Sequence, residues 1–184
     1  MSRVATAALF VAAAVMIAVQ IINTETRRNP SGERGRAVSA GTWESLPFQW
    51  ALTSKRGDGR RKIAIFSDPN CPFCKRLEGE LAKLDDITVH IFLYPIIAPE
   101  SVRQTKSVWC SKDRAGAWEN LTHRGIEPTA PADCETPIEQ LLELGSRLGA
   151  RSTPTWFLEN GESYTGAKPL EKLRRLLDAA SPRR

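Results

Sequence analysis

Phe66–Leu81 reads FSDPNCPFCKRLEGEL and sets Cys71 and Cys74 two residues apart. Such a pair can hold a metal, staple the chain or exchange disulfides. Structural zinc needs four Cys or His ligands, usually as two close pairs. Cys110 and Cys134 are too far apart to make a second local pair, and the only histidines are His90, mid-strand, and His123, in a helix-end or loop context. No metal and no other cofactor is expected. A staple across so short a loop removes little chain entropy. A short, strained disulfide is instead readily reduced and re-formed. Exchange is the favoured chemistry.

The local pattern divides the labour between the two sulfurs. Cys71 stands where an apolar strand gives way to a helix, so unpaired N–H groups and the positive end of the helix dipole favour its anion. Pro72 suits the first helical position, where its missing N–H bonds nothing. Cys74 shares a stripe with Leu77, Leu81 and Leu84, while Lys75, Arg76, Glu78 and Lys83 are expected on other faces. Cys71 is therefore the attacking residue, and Cys74 the buried one that resolves the mixed disulfide. Downstream, Ser152-Thr153-Pro154-Thr155 opens a strand. Proline is tolerated at that position, and X-Pro bonds are the ones that adopt cis; an ordinary trans proline is the alternative. A bridge between Cys110 and Cys134 would close a loop worth about 3.5 kcal/mol in chain entropy. Two unrelated buried thiols are the alternative there.

These residues need a frame. The run KIAIF (Lys62–Phe66) has the length and continuity of a strand buried on both faces, and ITVHIFLY (Ile87–Tyr94) is a second strand. A helix-rich stretch follows from about Ser101 to Arg124. Another helix is expected with Thr136 as N-cap, Pro137 at the first position, Glu139 completing a capping box and Gly149 closing it. TWFLENGESYTG (Thr155–Gly166) reads as a hairpin with positive φ at both Asn160 and Gly161. A final helix carries Leu170, Leu173, Leu176 and Leu177 on one face. The order predicts an α/β fold with a mixed sheet, parallel strands first and an antiparallel hairpin at the edge.

The chain has 184 residues, 41% of them hydrophobic, enough for one core. Its net charge of +5 comes from clusters at Arg27–Arg36, Arg56–Lys62 and the Arg183-Arg184 tail. These look like solvated linker, loop and tail residues without interleaved aromatics, so no nucleic acid is expected as a partner. Val4–Ile22 has no charged residue and is long enough to cross a bilayer. The expectation is a signal anchor or transmembrane helix over residues 1–26, a flexible linker over 27–42 and a globular domain over 43–184. Single-pass attachment to a membrane is expected, with the cysteine-bearing domain on the oxidising side; the family resemblance given next implies a bacterial inner membrane with the catalytic domain in the periplasm, and a cleaved signal with a soluble periplasmic domain is the alternative.

Taken in order, FSDPNCPFCKRLE, FLYPI, SVWCSKDRAGAW, Cys134 followed by TPIEQLLELG, and STPTWFLENGESYTG resemble the thioredoxin superfamily. The resemblance is to the catalytic domain of the DsbC/DsbG-like periplasmic disulfide isomerases. It implies a thioredoxin-like fold with a helical insertion, a redox pair at Cys71 and Cys74, a structural disulfide between Cys110 and Cys134, and a cis Thr153-Pro154 bond. Thr153 and Pro154 would bind the substrate backbone, with Pro72 and Phe73 also against substrate. The implied activity is that of a thiol-disulfide oxidoreductase, a reductase or isomerase. Its partners would be disulfide-containing envelope or secreted proteins and a membrane thiol reductase of the DsbD-like kind as electron donor.

Departures from the family are also legible. Trp43 is preceded by the expected anchor and linker, so the family's dimerisation domain is expected to be absent and the chain a monomer. Thioredoxin-type reductases carry a buried acid on the strand before the first cysteine, where this chain has Ile65, so that proton acceptor is missing and Asp68 is the nearest acid. Phe73 stands where strongly oxidising sites have histidine. A dedicated thiol reductant in cytochrome c maturation, or a non-enzymatic subunit of an envelope or conjugation assembly, are the alternative functions.

Overall fold

The computed structural model describes residues 36–37 and 42–181. Six strands form one sheet: β1 (Arg36–Ala37), β2 (Leu52–Arg56), β3 (Arg61–Ser67), β4 (Ile87–Leu93), β5 (Thr155–Leu158) and β6 (Glu162–Thr165). Their spatial order is β1-β6-β5-β3-β4-β2. Among the described residues five α-helices accompany them: α1 (Pro72–Leu81), α2 (Pro99–Cys110), α3 (Arg114–Arg124), α4 (Ile138–Arg147) and α5 (Leu170–Ala180).

The sheet is built on β3. Ile63, Ala64, Ile65 and Phe66 are fully buried, which is why this strand reads as a continuous apolar run. β3 runs parallel to β4 on one side, as the crossover through α1 requires, and antiparallel to β5 on the other. β5 is thus interior; of the hairpin strands only β6 lies outward, paired with the two residues of β1. β2 was not evident from the sequence. It pairs antiparallel with β4 at the opposite edge and buries only Leu52, so it carries no apolar alternation. On β4, His90 bonds Thr53 through Nδ1 at 2.8 Å and lies against Phe48, 4.5 Å between ring centroids. Burial, aided by Lys62, pushes its pKa down to about 4, so it is a neutral packing residue.

The helices between β4 and β5 form the insertion. α2 and α3 are joined by a short turn, with Asp113 capping α3 by accepting from the Gly116 N–H. α4 starts one residue later than the sequence suggests: Pro137 is its N-cap and no side chain caps it, so the Thr136 capping box does not form. Its far end closes as expected. Gly149 takes φ +78°, its N–H reaches Ser146 O, and Ala150 N–H reaches Gly145 O, the paired bonds of a Schellman motif. The β5–β6 turn has three residues, and among them only Gly161 adopts positive φ, bonding Leu158 O through its N–H.

The expected membrane anchor requires correction, and with it that part of the fold class, the membrane partnership and the localisation. No helix among the described residues is long and apolar enough to cross a membrane. The longest, α2, has 12 residues, about 18 Å against the roughly 30 Å of a hydrocarbon core. Residues 1–26, on which the anchor was placed, lie outside the described residues. An apolar run is necessary for a span but does not by itself separate a retained helix from the apolar region of a leader.

Candidate active site

Cys71 is the N-cap of α1, with φ −81° and ψ 115°, and Pro72 is the first helical residue. The Cys71 carbonyl accepts from the N–H groups of Cys74 and Lys75, which starts the helix, while no side chain caps its first turn. Both cysteines are free thiols. Cys74 is fully buried on the stripe of α1 that also holds Leu77 and Leu81, and Cys71 is 2% exposed.

The opposite wall is the loop entering β5. The Thr153–Pro154 peptide is cis. The Cys71 thiol donates to Thr153 O at 3.2 Å. The loop is tied on both sides of that contact: Thr155 Oγ1 donates to Ser152 O at 2.7 Å, and Gly166 N–H donates to Pro154 O at 2.8 Å. Thr153 Oγ1 is buried with no hydrogen-bond partner among the described residues. Pro72 and Phe73 lie exposed between the cysteines, Phe73 at 55% with the Arg76 guanidinium 5.9 Å over its ring. Cys71, Cys74, Thr153 and Pro154 are therefore brought together across a sequence gap of some eighty residues. Cys110 and Cys134 are bonded to each other at the far end of α2.

Three buried polar groups complete the site, and the sequence pattern concealed their roles. Asp68, fully buried, accepts from the N–H groups of Asn70, Ile96 and Ile97 and from Ser101 Oγ, all at 2.8–2.9 Å. It locks the loop before Cys71 to the loop after β4 and to the start of α2. Ser67 and Glu78 lie next to Cys74. Ser67 Oγ donates to Glu78 Oε1 at 2.8 Å, and Trp118 Nε1 of α3 donates to Glu78 Oε2 at 2.8 Å. Glu78 was expected on an outward face, but it shares the buried stripe of Cys74, one turn further on. The four-residue spacing was a signal; its partner on α3 was not legible.

Burial pushes the Cys74 thiol up to about 12, against opposing hydrogen bonds from the Ser67 side chain and the Asp68 backbone. The arrangement is one sulfur at a helix start, in contact with the cis loop beside the exposed Phe73, and a second sulfur kept protonated behind it. Among the described residues no group of His, Cys, Asp or Glu could hold a metal ion.

Comparison with known proteins gives concordant matches. Residues 48–181 match the model of a thioredoxin-like domain. A probable thiol:disulfide interchange protein DsbC of Bordetella pertussis is 40% identical over 153 residues, covering 83% of this chain and 54% of that protein. The thiol:disulfide interchange protein DsbC of Escherichia coli K12 is 29% identical over 131 residues, 69% of this chain and 55% of that protein. The crystal structure of a disulfide interchange protein from Neisseria gonorrhoeae superposes with TM-score 0.70 at 36% identity, covering 75% of this chain and all of that one. The chain spans about half the length of the DsbC relatives it matches. This likeness to DsbC-type interchange proteins, together with the lack of a spanning helix among the described residues, overturns the expected inner-membrane anchor and single-pass localisation.

Proposed function

Since this chain belongs to the thioredoxin-like domain family, in its DsbC-type branch, we propose that it catalyses thiol–disulfide exchange on proteins through Cys71 and Cys74. The observation that carries the proposal is the 3.2 Å contact between the Cys71 sulfur and the Thr153 carbonyl, with the second sulfur of the pair fully buried. Cys71 as thiolate attacks one sulfur of a substrate disulfide. A mixed disulfide forms and the other substrate sulfur leaves as a thiolate. Cys74 then attacks the Cys71 sulfur, closing the Cys71–Cys74 disulfide and expelling the second substrate sulfur. Two electrons have passed to the substrate. If the released substrate thiolate attacks first, the substrate is isomerised and the pair stays reduced.

Thr153 and Pro154 hold the substrate backbone against Cys71, while Pro72 and Phe73 meet its side chains. The substrates are disulfide-containing envelope or secreted proteins, and a membrane thiol reductase restores the dithiol. The Cys110–Cys134 disulfide fits an oxidising compartment, the periplasm. The same pair would serve a dedicated reductant of haem-attachment cysteines on a narrower substrate, which loss of c-type cytochromes on deletion would reveal. The direct test is reduction of insulin disulfides by the purified chain. Cys71→Ser is expected to abolish it, and activity persisting in that variant ends the proposal.

A further inference from the structure

Glu78 is a carboxylate on a stripe that otherwise holds Cys74, Leu77 and Leu81, and it is only 8% exposed. The exchange chemistry above makes no use of it. Its oxygens are engaged on two sides. Oε1 accepts from Ser67 Oγ, whereas Oε2 accepts from Trp118 Nε1 and lies 3.8 Å from His123 Nε2. The Ser67 side chain also neighbours Cys74, where it favours the ionised form of the sulfur. A serine hydroxyl has one proton and two lone pairs. With its proton directed at Glu78, Ser67 offers a lone pair to the Cys74 S–H. The run Cys74–Ser67–Glu78–His123 thus leads from a buried sulfur to an imidazole whose side chain is 36% exposed.

We propose that Glu78 is the proton acceptor for Cys74, linked to it by the Ser67 hydroxyl and drained to solvent through His123. The helical insertion is then part of the exchange site, because α3 supplies both Trp118 and His123. The inference rests on the disulfide-exchange reading and assigns the acceptor for its resolving step. As Cys74 attacks the Cys71 sulfur, its proton passes to Ser67 Oγ while Ser67 passes its own to Glu78. The Cys71–Cys74 bond forms and the bond from Cys71 to the substrate sulfur breaks. The substrate sulfur leaves with the electron pair and takes a proton from solvent, and Glu78 gives its proton to solvent by way of His123. The transfer moves one negative charge from Glu78 to the sulfur within the same buried cluster. No additional uncompensated charge is buried, which is the expensive event in a low-dielectric interior. The groups facing this path are Cys71 beside Cys74, Lys75 and Glu78 of α1 beside His123, and Glu119 on the imidazole's own helix.

The test isolates the resolving step. A mixed disulfide between Cys71 and a fluorescent peptide thiol is prepared in the full chain, and peptide release is followed by stopped flow from about pH 5.5 to 9. Glu78→Gln keeps the size of the side chain and takes no proton. Its release rate should fall about a hundredfold near neutrality, within the usual range for a lost general base, and rise about tenfold per pH unit as only direct ionisation of Cys74 remains. The native chain should show a shallower slope, and Glu78→Asp should recover part of the rate. An unchanged rate in Glu78→Gln, or an equal loss at every pH with the native slope, overturns the relay. Should Glu78→Gln fail to fold, Ser67→Ala must give the same steepened profile, and a native profile there overturns the relay instead. If the native chain neither forms nor releases the mixed disulfide, the exchange reading falls and the relay with it; a defect confined to the slope leaves exchange standing.

Discussion

Cys74 and Glu78 are one helical turn apart, and their shared burial gives each a behaviour that its residue type alone would not. The sulfur, removed from water, holds its proton up to about 12. The sign is that of a neutral form favoured by desolvation: the thiol stays protonated through neutral pH and ionises only as pH climbs through the raised value. In a Cys71→Ser chain, iodoacetamide should therefore modify Cys74 very slowly at pH 8, with the rate rising steeply as pH approaches 12. Mass-spectrometric alkylation rates check this, and rapid modification at pH 8 contradicts it. Asp68 has the opposite role. Its four accepted hydrogen bonds come from three different segments, so it holds the loop before Cys71 in place.

Among the elements, α4 shows how a helix far from the sulfurs in sequence places the loop that faces them. Gly145 lies against the buried Tyr94 ring: a Cβ built there would run into Tyr94 Cε2 and Cζ. The Tyr94 hydroxyl in turn donates to Ala150 O at 3.0 Å, just past the Schellman end of the helix. Ala150 begins the short stretch to Thr153 and Pro154. Gly145→Ala must push α4 off the end of β4, and overpacking of this kind costs roughly 1–3 kcal/mol. Urea melts should show that loss, and insulin reduction should fall with it because the Thr153 loop moves. Alanine is the better helix former, so a gain in stability would contradict the close approach. In the sequence, Gly145 is only a weak spot in a helical pattern; the reason for it is a tyrosine some fifty positions earlier.

At the scale of the whole molecule, the disulfide between Cys110 and Cys134 closes a segment of separation 24 that contains all of α3. The chain-entropy relation gives about 3.5 kcal/mol for a loop of that size. A Cys110→Ala/Cys134→Ala chain should unfold at lower denaturant by a comparable amount. α3 also carries Trp118 and His123, so the same variant should slow peptide release from the Cys71 mixed disulfide more than it slows formation of that disulfide. Equal slowing of both steps would mean that the insertion contributes stability alone.

The sequence by itself determined what depends on neighbours along the chain. The Cys71-Pro72-Phe73-Cys74 spacing, the strand before it and the helix after it, the leucine stripe and the Gly149 helix end are all set by local periodicity and backbone chemistry. Polar strand β2 escaped because an exposed edge has no apolar pattern to read. The missing capping box at Thr136 and the single positive φ in the hairpin turn show local motifs yielding to the geometry of the elements they join. Tertiary structure alone decided the surroundings of the sulfurs. Glu78 is polar by type, and only Ser67 on β3 and Trp118 on α3 make its burial tolerable. Thr153 meets Cys71 only because β5 pairs with β3. Partners that distant come together when the sheet and the insertion close, and no period in the chain encodes where they will meet.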